Sequence, residues 1–183
     1  LIYERVESAP VDIQALIKAN PALEAWYGID FGFTDPTAFV GGLIDTVNRV
    51  IYIGLEWYKR GVTNSEIADA VKFLGLKREQ IYCDSAEPKS IKELKDLGLN
   101  ALAATKGQDS VRHGIQYLQN YRFVVSPNCP DTYESLCNYV WKKDKDGKMT
   151  DVPDHEFSHG PDAIRYGLDR FINNNNFKWQ KLY

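Results

Sequence analysis

The sequence predicts an α/β fold: a central mixed sheet of five or slightly more strands, helices on its faces, and an added β-hairpin near 140–153. Three observations point there. Residues 25–58 hold three apolar strand patterns joined by short turns, which read as an antiparallel meander. Residues 63–141 alternate helix and strand patterns. The most polar stretch, 142–153, is centred on Asp146-Gly147, a pair that favours a tight hairpin turn. A length of 183 residues suits one domain, able to bury a core without disulfides.

The elements follow in order. Residues 1–24 read as an entry segment, with a short amphipathic helix after Pro10 stopped by Asn20-Pro21. AWYGIDF (25–31) is a buried strand and FGFTDPT (31–37) a turn. AFVGGLID (38–45) and RVIYIGLEWY (49–58) follow as strands, with Gly41-Gly42 interrupting the first of them. Thr63 or Asn64 caps a helix, and Glu66 stands at capping-box spacing from Thr63. EQIYCDSA (79–86) is a strand; Pro88 opens the next helix and Gly98 closes it. NALAATKG (100–107) is a short strand, 109–120 a helix, 121–127 a strand and 129–141 a helix leading into the charged hairpin. The last helix spans 159–172, and the tail 173–183 reads as loosely ordered. Three strands, then helices alternating with strands, then a closing helix is the element order of an RNase H-like fold.

Composition narrows the function. Apolar residues at 44% and charged residues at 26% exclude disorder and coiled coil as readings of the whole. No apolar run approaches the roughly 20 residues of a membrane span, so no membrane partner is expected. Cys83, Cys129 and Cys137 are odd in number and lack C-x-x-C spacing, which argues against a disulfide framework or a zinc site and for a reducing compartment. With 22 basic against 25 acidic residues, any contact with nucleic acid must come from local patches or from metal ions that neutralise phosphate.

The chemistry concentrates in three places. In GIDFGFTDPTA (28–38), Asp30 ends an apolar strand at the rim of the sheet, where a carboxylate is costly unless paired or bound to a cation. Asp35 precedes Pro36 and reads first as a turn residue, with an accessory metal role as the alternative. In IYCDSAEP (81–88), Asp84 repeats the strand-end placement of Asp30, while Glu87 fits a first-turn acid favoured by the helix dipole. In DHEFSHGPDAIRYGLDRF (154–171), His159 and Asp162 are three apart, so both can face one point from a helix's first turn. His155 and Asp154 read as surface loop residues and Asp169 as a member of a surface pair. Three acids on two strand ends and one helix start can converge at one edge of a sheet. Oxygen ligands suit Mg²⁺ or Mn²⁺, and two such ions clamp the attacking water and the leaving oxygen of a phosphodiester.

These stretches, with TKGQDSVRHGIQYLQ (105–119) and NYVWKKDKDGK (138–148), resemble the C-terminal nuclease domain of tailed-bacteriophage terminase large subunits over roughly residues 25–172. The resemblance implies an RNase H-like, metal-dependent DNA endonuclease with two divalent ions, Mg²⁺ or Mn²⁺. It assigns metal binding to Asp30, Asp84 and Asp162, and to His159 a role beside them: holding a water, a phosphate or Asp162. Asp→Asn changes at Asp30 or Asp162 are expected to abolish cutting without unfolding the domain. Lys106, Arg112, Arg165 and the hairpin lysines Lys142, Lys143 and Lys145 are candidate DNA-backbone contacts. No G-x-x-x-x-G-K-[ST] phosphate loop is present, so residues 1–24 are expected to lead from an ATPase domain outside this sequence.

The implied substrate is double-stranded concatemeric viral DNA. The implied partners are that ATPase domain, the portal and the small terminase subunit, and the implied place is the host cell cytoplasm. A sugar-kinase-like ATPase shares the Asp-x-Gly after its first strand but needs a second glycine-rich loop, which CDSAEP does not supply. An RNase H-like nuclease of resolvase or transposase type, and a non-catalytic docking module of a packaging motor, stay open as alternatives.

Overall fold

The computed structural model describes residues 1–107 and 109–179. β1 (Val6–Ser8) and α1 (Ile13–Ala19) precede the meander β2 (Glu24–Asp30), β3 (Thr37–Asp45) and β4 (Val50–Lys59). Then come α2 (Asn64–Phe73), β5 (Gln80–Cys83), α3 (Pro88–Asp96), β6 (Asn100–Ala103), α4 (Ser110–Leu118), β7 (Arg122–Val125) and α5 (Pro130–Asn138). The hairpin is β8 (Trp141–Lys143) and β9 (Met149–Pro153), and α6 (His159–Gly167) and α7 (Asp169–Trp179) close the order.

Seven strands form the main sheet in the order β1-β7-β4-β3-β2-β5-β6. β2, β3 and β4 pair antiparallel; every other pairing in that sheet is parallel. This is the RNase H-like arrangement, with the two-stranded β8–β9 hairpin standing apart. The expectation of five or slightly more strands is met by seven, with β7 and β1 extending the sheet beyond β4.

Side-chain alternation along the strands builds two cores, one on each face. On one face Trp26, Val40, Ile51 and Phe123 pack with Ile115 of α4, Leu136 of α5 and Ile164 of α6. On the other, Ile29, Phe39, Ile81 and Cys83 pack with Ile67 and Val71 of α2 and Leu94 of α3. The Thr63 capping box forms as its spacing requires: the Thr63 side chain accepts from the Glu66 N–H, and Glu66 accepts from the Thr63 N–H. Thr63→Ala is expected to cost about 1 kcal/mol, seen as a fall of roughly 2–4 °C in the thermal midpoint.

Several expectations are corrected. The segment read as an entry linker is part of the domain: Ile2 and Tyr3 lie in the first core, and β1 pairs with β7 through Val6 opposite Phe123. A three-residue strand whose partner lies more than a hundred residues away leaves no local pattern to read. Gly41-Gly42 does not break β3. Gly41 lies opposite Leu55 and Gly42 opposite Ile53, so Gly54 of β4 is the extra residue of a bulge. The single closing helix is two. Asp169 accepts from the Thr105 N–H and hydroxyl at 3.0 and 2.8 Å, anchoring the start of α7 instead of making a surface ion pair. α7 runs to Trp179, past the expected start of the tail; residues 180–183 of that tail lie outside the described residues.

Candidate active site

Register and pleat place the first two acids. β2 and β5 are parallel, with Gly28 opposite Tyr82 and Ile29 opposite Cys83. Asp30 and Asp84 follow those pairs at neighbouring strand ends, about 4.8 Å apart in the pairing direction. The Asp84 N–H donates to the Ile29 carbonyl at 3.2 Å, which extends the pairing to this position. Ile29 and Cys83 belong to the α2–α3 core. Alternation therefore turns Asp30 and Asp84 to the opposite face, where α6 crosses.

α6 supplies the third acid. The helix meets β2 almost backbone to backbone: a Cβ at Gly28 would lie 1.8 Å from the Ala163 carbonyl oxygen, and one at Gly167 would lie 2.9 Å from the Gly28 nitrogen. Two residues without side chains, one on each element, permit this approach. It carries the first turn of α6 over the ends of β2 and β5. His159 Nδ1 there lies 2.8 Å from Asp30 Oδ2. One turn along, Asp162 accepts from Arg165 Nη2 at 2.9 Å.

The electrostatics agree with this placement. Burial pushes the Asp30 carboxyl up to about 6; the hydrogen bond from His159 opposes this, and the charges of Asp162 and then Asp84 add to it. The His159 imidazole is shifted up in turn, chiefly by its bond to Asp30. Burial raises the Tyr166 phenol, Arg165 opposes that, and Asp162, Asp30 and Asp84 all raise it further. Asp30, half-covered Asp84 and Asp162 thus lie near enough at the sheet rim for their charges to act on one another and on Tyr166. Such a set of oxygen donors fits a hard divalent cation, which would reverse the penalty on the buried carboxylate.

A model of the terminase RNAseH-like domain family matches residues 30–170. The chain belongs to that family. Among curated proteins it is 34% identical over 151 residues to the terminase large subunit of Bacillus phage SPP1, covering 78% of this chain and 35% of that protein. It is 28% identical over 146 residues to the PBSX phage terminase large subunit of Bacillus subtilis, covering 79% of this chain and 34% of that one. The chain spans about a third of the length of these relatives. Among solved structures, the large terminase nuclease domain of bacteriophage SPP1 with bound Mn superposes with a TM-score of 0.83 at 30% identity. That match covers 92% of this chain and 98% of that one. The P22 large terminase nuclease domain superposes with a TM-score of 0.69 at 22% identity, covering 91% and 92%, which shows the shared fold.

Within the terminase domain the other site candidates divide. Arg165, expected as an exposed DNA contact, is instead buried and bonded to Asp162, and its guanidinium carbon lies 4.6 Å from the Tyr166 ring centroid. α4 makes room for it at Gly114, where a Cβ would lie 2.6 Å from Arg165 Cδ. Arg112 is exposed but engaged, at 2.8 Å from Asp151 of the hairpin. Lys106, Lys142, Lys143 and Lys145 are exposed. Among these, Lys106 follows Thr105, which Asp169 holds in place. Glu87 is the exposed residue preceding α3, as expected of a helix-start acid.

His159 is bonded to Asp30, and no bond to Asp162 is formed. Asp35 is exposed, and its carboxylate lies 3.9 Å from Arg60 on one oxygen and 3.8 Å from His155 on the other. His155, read as a surface residue without a role, is exposed but lies against the site, its ring 5.4 Å from that of His159. Its spacing of four from His159 was the signal available in the sequence.

Proposed function

We propose that this terminase domain is a metal-dependent DNA endonuclease that cuts concatemeric viral DNA during genome packaging. The observation that carries the reading is the meeting of Asp30, Asp84 and Asp162 at one rim of the sheet. They come from two adjacent strand ends and the first turn of the helix packed across them. Asp30, Asp84 and Asp162 would hold two Mg²⁺ or Mn²⁺ ions. Bound there, such ions supply an activated water and stabilise the departing 3′ oxygen.

The chain's own residues do the rest. His159 fixes the Asp30 carboxylate by its 2.8 Å bond, and Arg165 fixes that of Asp162. The close contact of Gly28 with α6 sets the distance between the two. Lys106 and the hairpin lysines Lys142, Lys143 and Lys145, all exposed, would meet the phosphate backbone. DNA affinity should therefore fall steeply with salt and carry little base specificity. The motor domain of the full-length protein, the portal and the small terminase subunit are the partners this reading entails, and the host cytoplasm its place of action.

The test is incubation of the domain with supercoiled plasmid in Mn²⁺, Mg²⁺ or EDTA, beside Asp84→Ala. Nicking and linearisation that need metal and vanish in the variant are expected. Cleavage that survives in Asp84→Ala would refute the site. No cleavage with either metal would favour the docking-module alternative.

A further inference from the structure

We propose that Asp35, His155 and His159 form a second metal site, for a divalent transition ion of the zinc or cobalt class, beside the three-aspartate cluster. One ligand atom from each of these residues lies within 4.8 Å of the others, the only such set of three among the described residues. The donors differ in kind from the aspartates: two imidazoles and one carboxylate, a combination that suits zinc and its neighbours and not Mg²⁺.

The hydrogen bonding around the two rings is what a metal site needs. His159 Nδ1 is held by Asp30 Oδ2 at 2.8 Å, and His155 Nδ1 by Ser158 Oγ at 2.9 Å. In both rings Nε2 is thereby left as the coordinating nitrogen. Imidazole ligands to metals regularly have their second nitrogen bonded in this way, which fixes tautomer and ring plane. His155 Nε2 lies 3.8 Å from Asp35 Oδ2, while Arg60 approaches the other carboxylate oxygen, Oδ1, at 3.9 Å. Two nitrogens on one tetrahedral zinc lie about 3.3 Å apart. Closing from under 4.8 Å to that separation needs only side-chain movement of Asp35 and His155, both exposed. Three protein ligands leave a fourth position open, as in catalytic zinc sites. The site faces solvent on the Tyr58–Arg60 and α5 side, in a depressed surface lined also by Asp131 and Glu134.

The proposal stands on its own donors, and the nuclease reading enters through the choice of background ion and of the Asp84→Ala control. Zn²⁺ is titrated calorimetrically into the 183-residue chain in excess Mg²⁺, with imidazole ring resonances followed by NMR. The variants are Asp35→Ala, His155→Ala, Ser158→Ala and Asp84→Ala. One equivalent should bind the unaltered chain and shift the ring signals of His155 and His159 together. Asp35→Ala and His155→Ala should weaken binding about tenfold or more. Ser158→Ala, which keeps all three ligands, should weaken it about tenfold through the freed ring. Asp84→Ala should bind as before. Unchanged affinity in His155→Ala, or loss in Asp84→Ala with His155 signals unmoved, would overturn the site. Neither result depends on whether the domain cuts DNA.

Discussion

Asp30→Asn should lower metal-dependent cleavage by roughly a thousandfold or more, the scale set by losing several kcal/mol of charge stabilisation, while leaving the domain folded. The substitution keeps the shape of the side chain and removes its charge. In the native protein that charge is opposed by burial and by Asp162 and Asp84, with His159 alone working in its favour. A neutral amide escapes the first effects and can still accept a hydrogen bond from the imidazole. The thermal midpoint should therefore hold or rise. Asp162→Asn should abolish cleavage equally but behave differently in a melt. It leaves the buried Arg165 guanidinium without its anionic partner, whose bond is 2.9 Å long. A loss of about 2 kcal/mol is expected. The sequence alone leads one to expect both variants to fold alike; the buried arginine separates them. Plasmid cleavage measured beside thermal unfolding decides the matter, and an active Asp30→Asn protein would sink the assignment of Asp30.

Gly28→Ala should be among the most damaging single methyls at the described residues. Its Cβ would meet the Ala163 oxygen at 1.8 Å and the Gly167 nitrogen at 2.6 Å, and both are main-chain atoms that no rotamer change can move aside. Overpacking of this kind costs about 3 kcal/mol or more, a fall of about 10 °C in midpoint for a chain of this size. Relief requires α6 to lift from β2, carrying His159 and Asp162 away from Asp30. Protein that remains folded at low temperature should therefore cut poorly. An unshifted melting curve would show that the helix does not approach the strand this closely.

Much of the site was legible because its signals are local. An apolar strand pattern that stops at an acid marks Asp30 and Asp84, and a histidine three residues before an acid at a helix start marks His159 and Asp162. What the sequence hid depends on contacts between distant segments. Arg165 looks like a solvated charge at helical spacing. Its neighbours Gly160, Pro161, Ala163, Ile164 and Gly167 are buried, however, so α6 is enclosed nearly all round and offers the arginine no wet face. That run of small and apolar residues was a readable hint. His155 and Asp35 stand 120 positions apart, and nothing short of the fold brings them together. The same holds for β1, which is too short to announce itself and exists because β7 offers it an edge.

That edge pairing has a further consequence. The two outer strands of the sheet, β1 and β6, are only three and four residues long. The Glu7 side chain of β1 is engaged by Arg122 of the neighbouring strand. An incoming chain would find at most three or four residues to pair with, below the usual strand length of about five or six. The sheet is in this way closed to lateral growth. Copies of the domain crowded together would have only a short backbone edge by which to join their main sheets, and would meet chiefly through side chains.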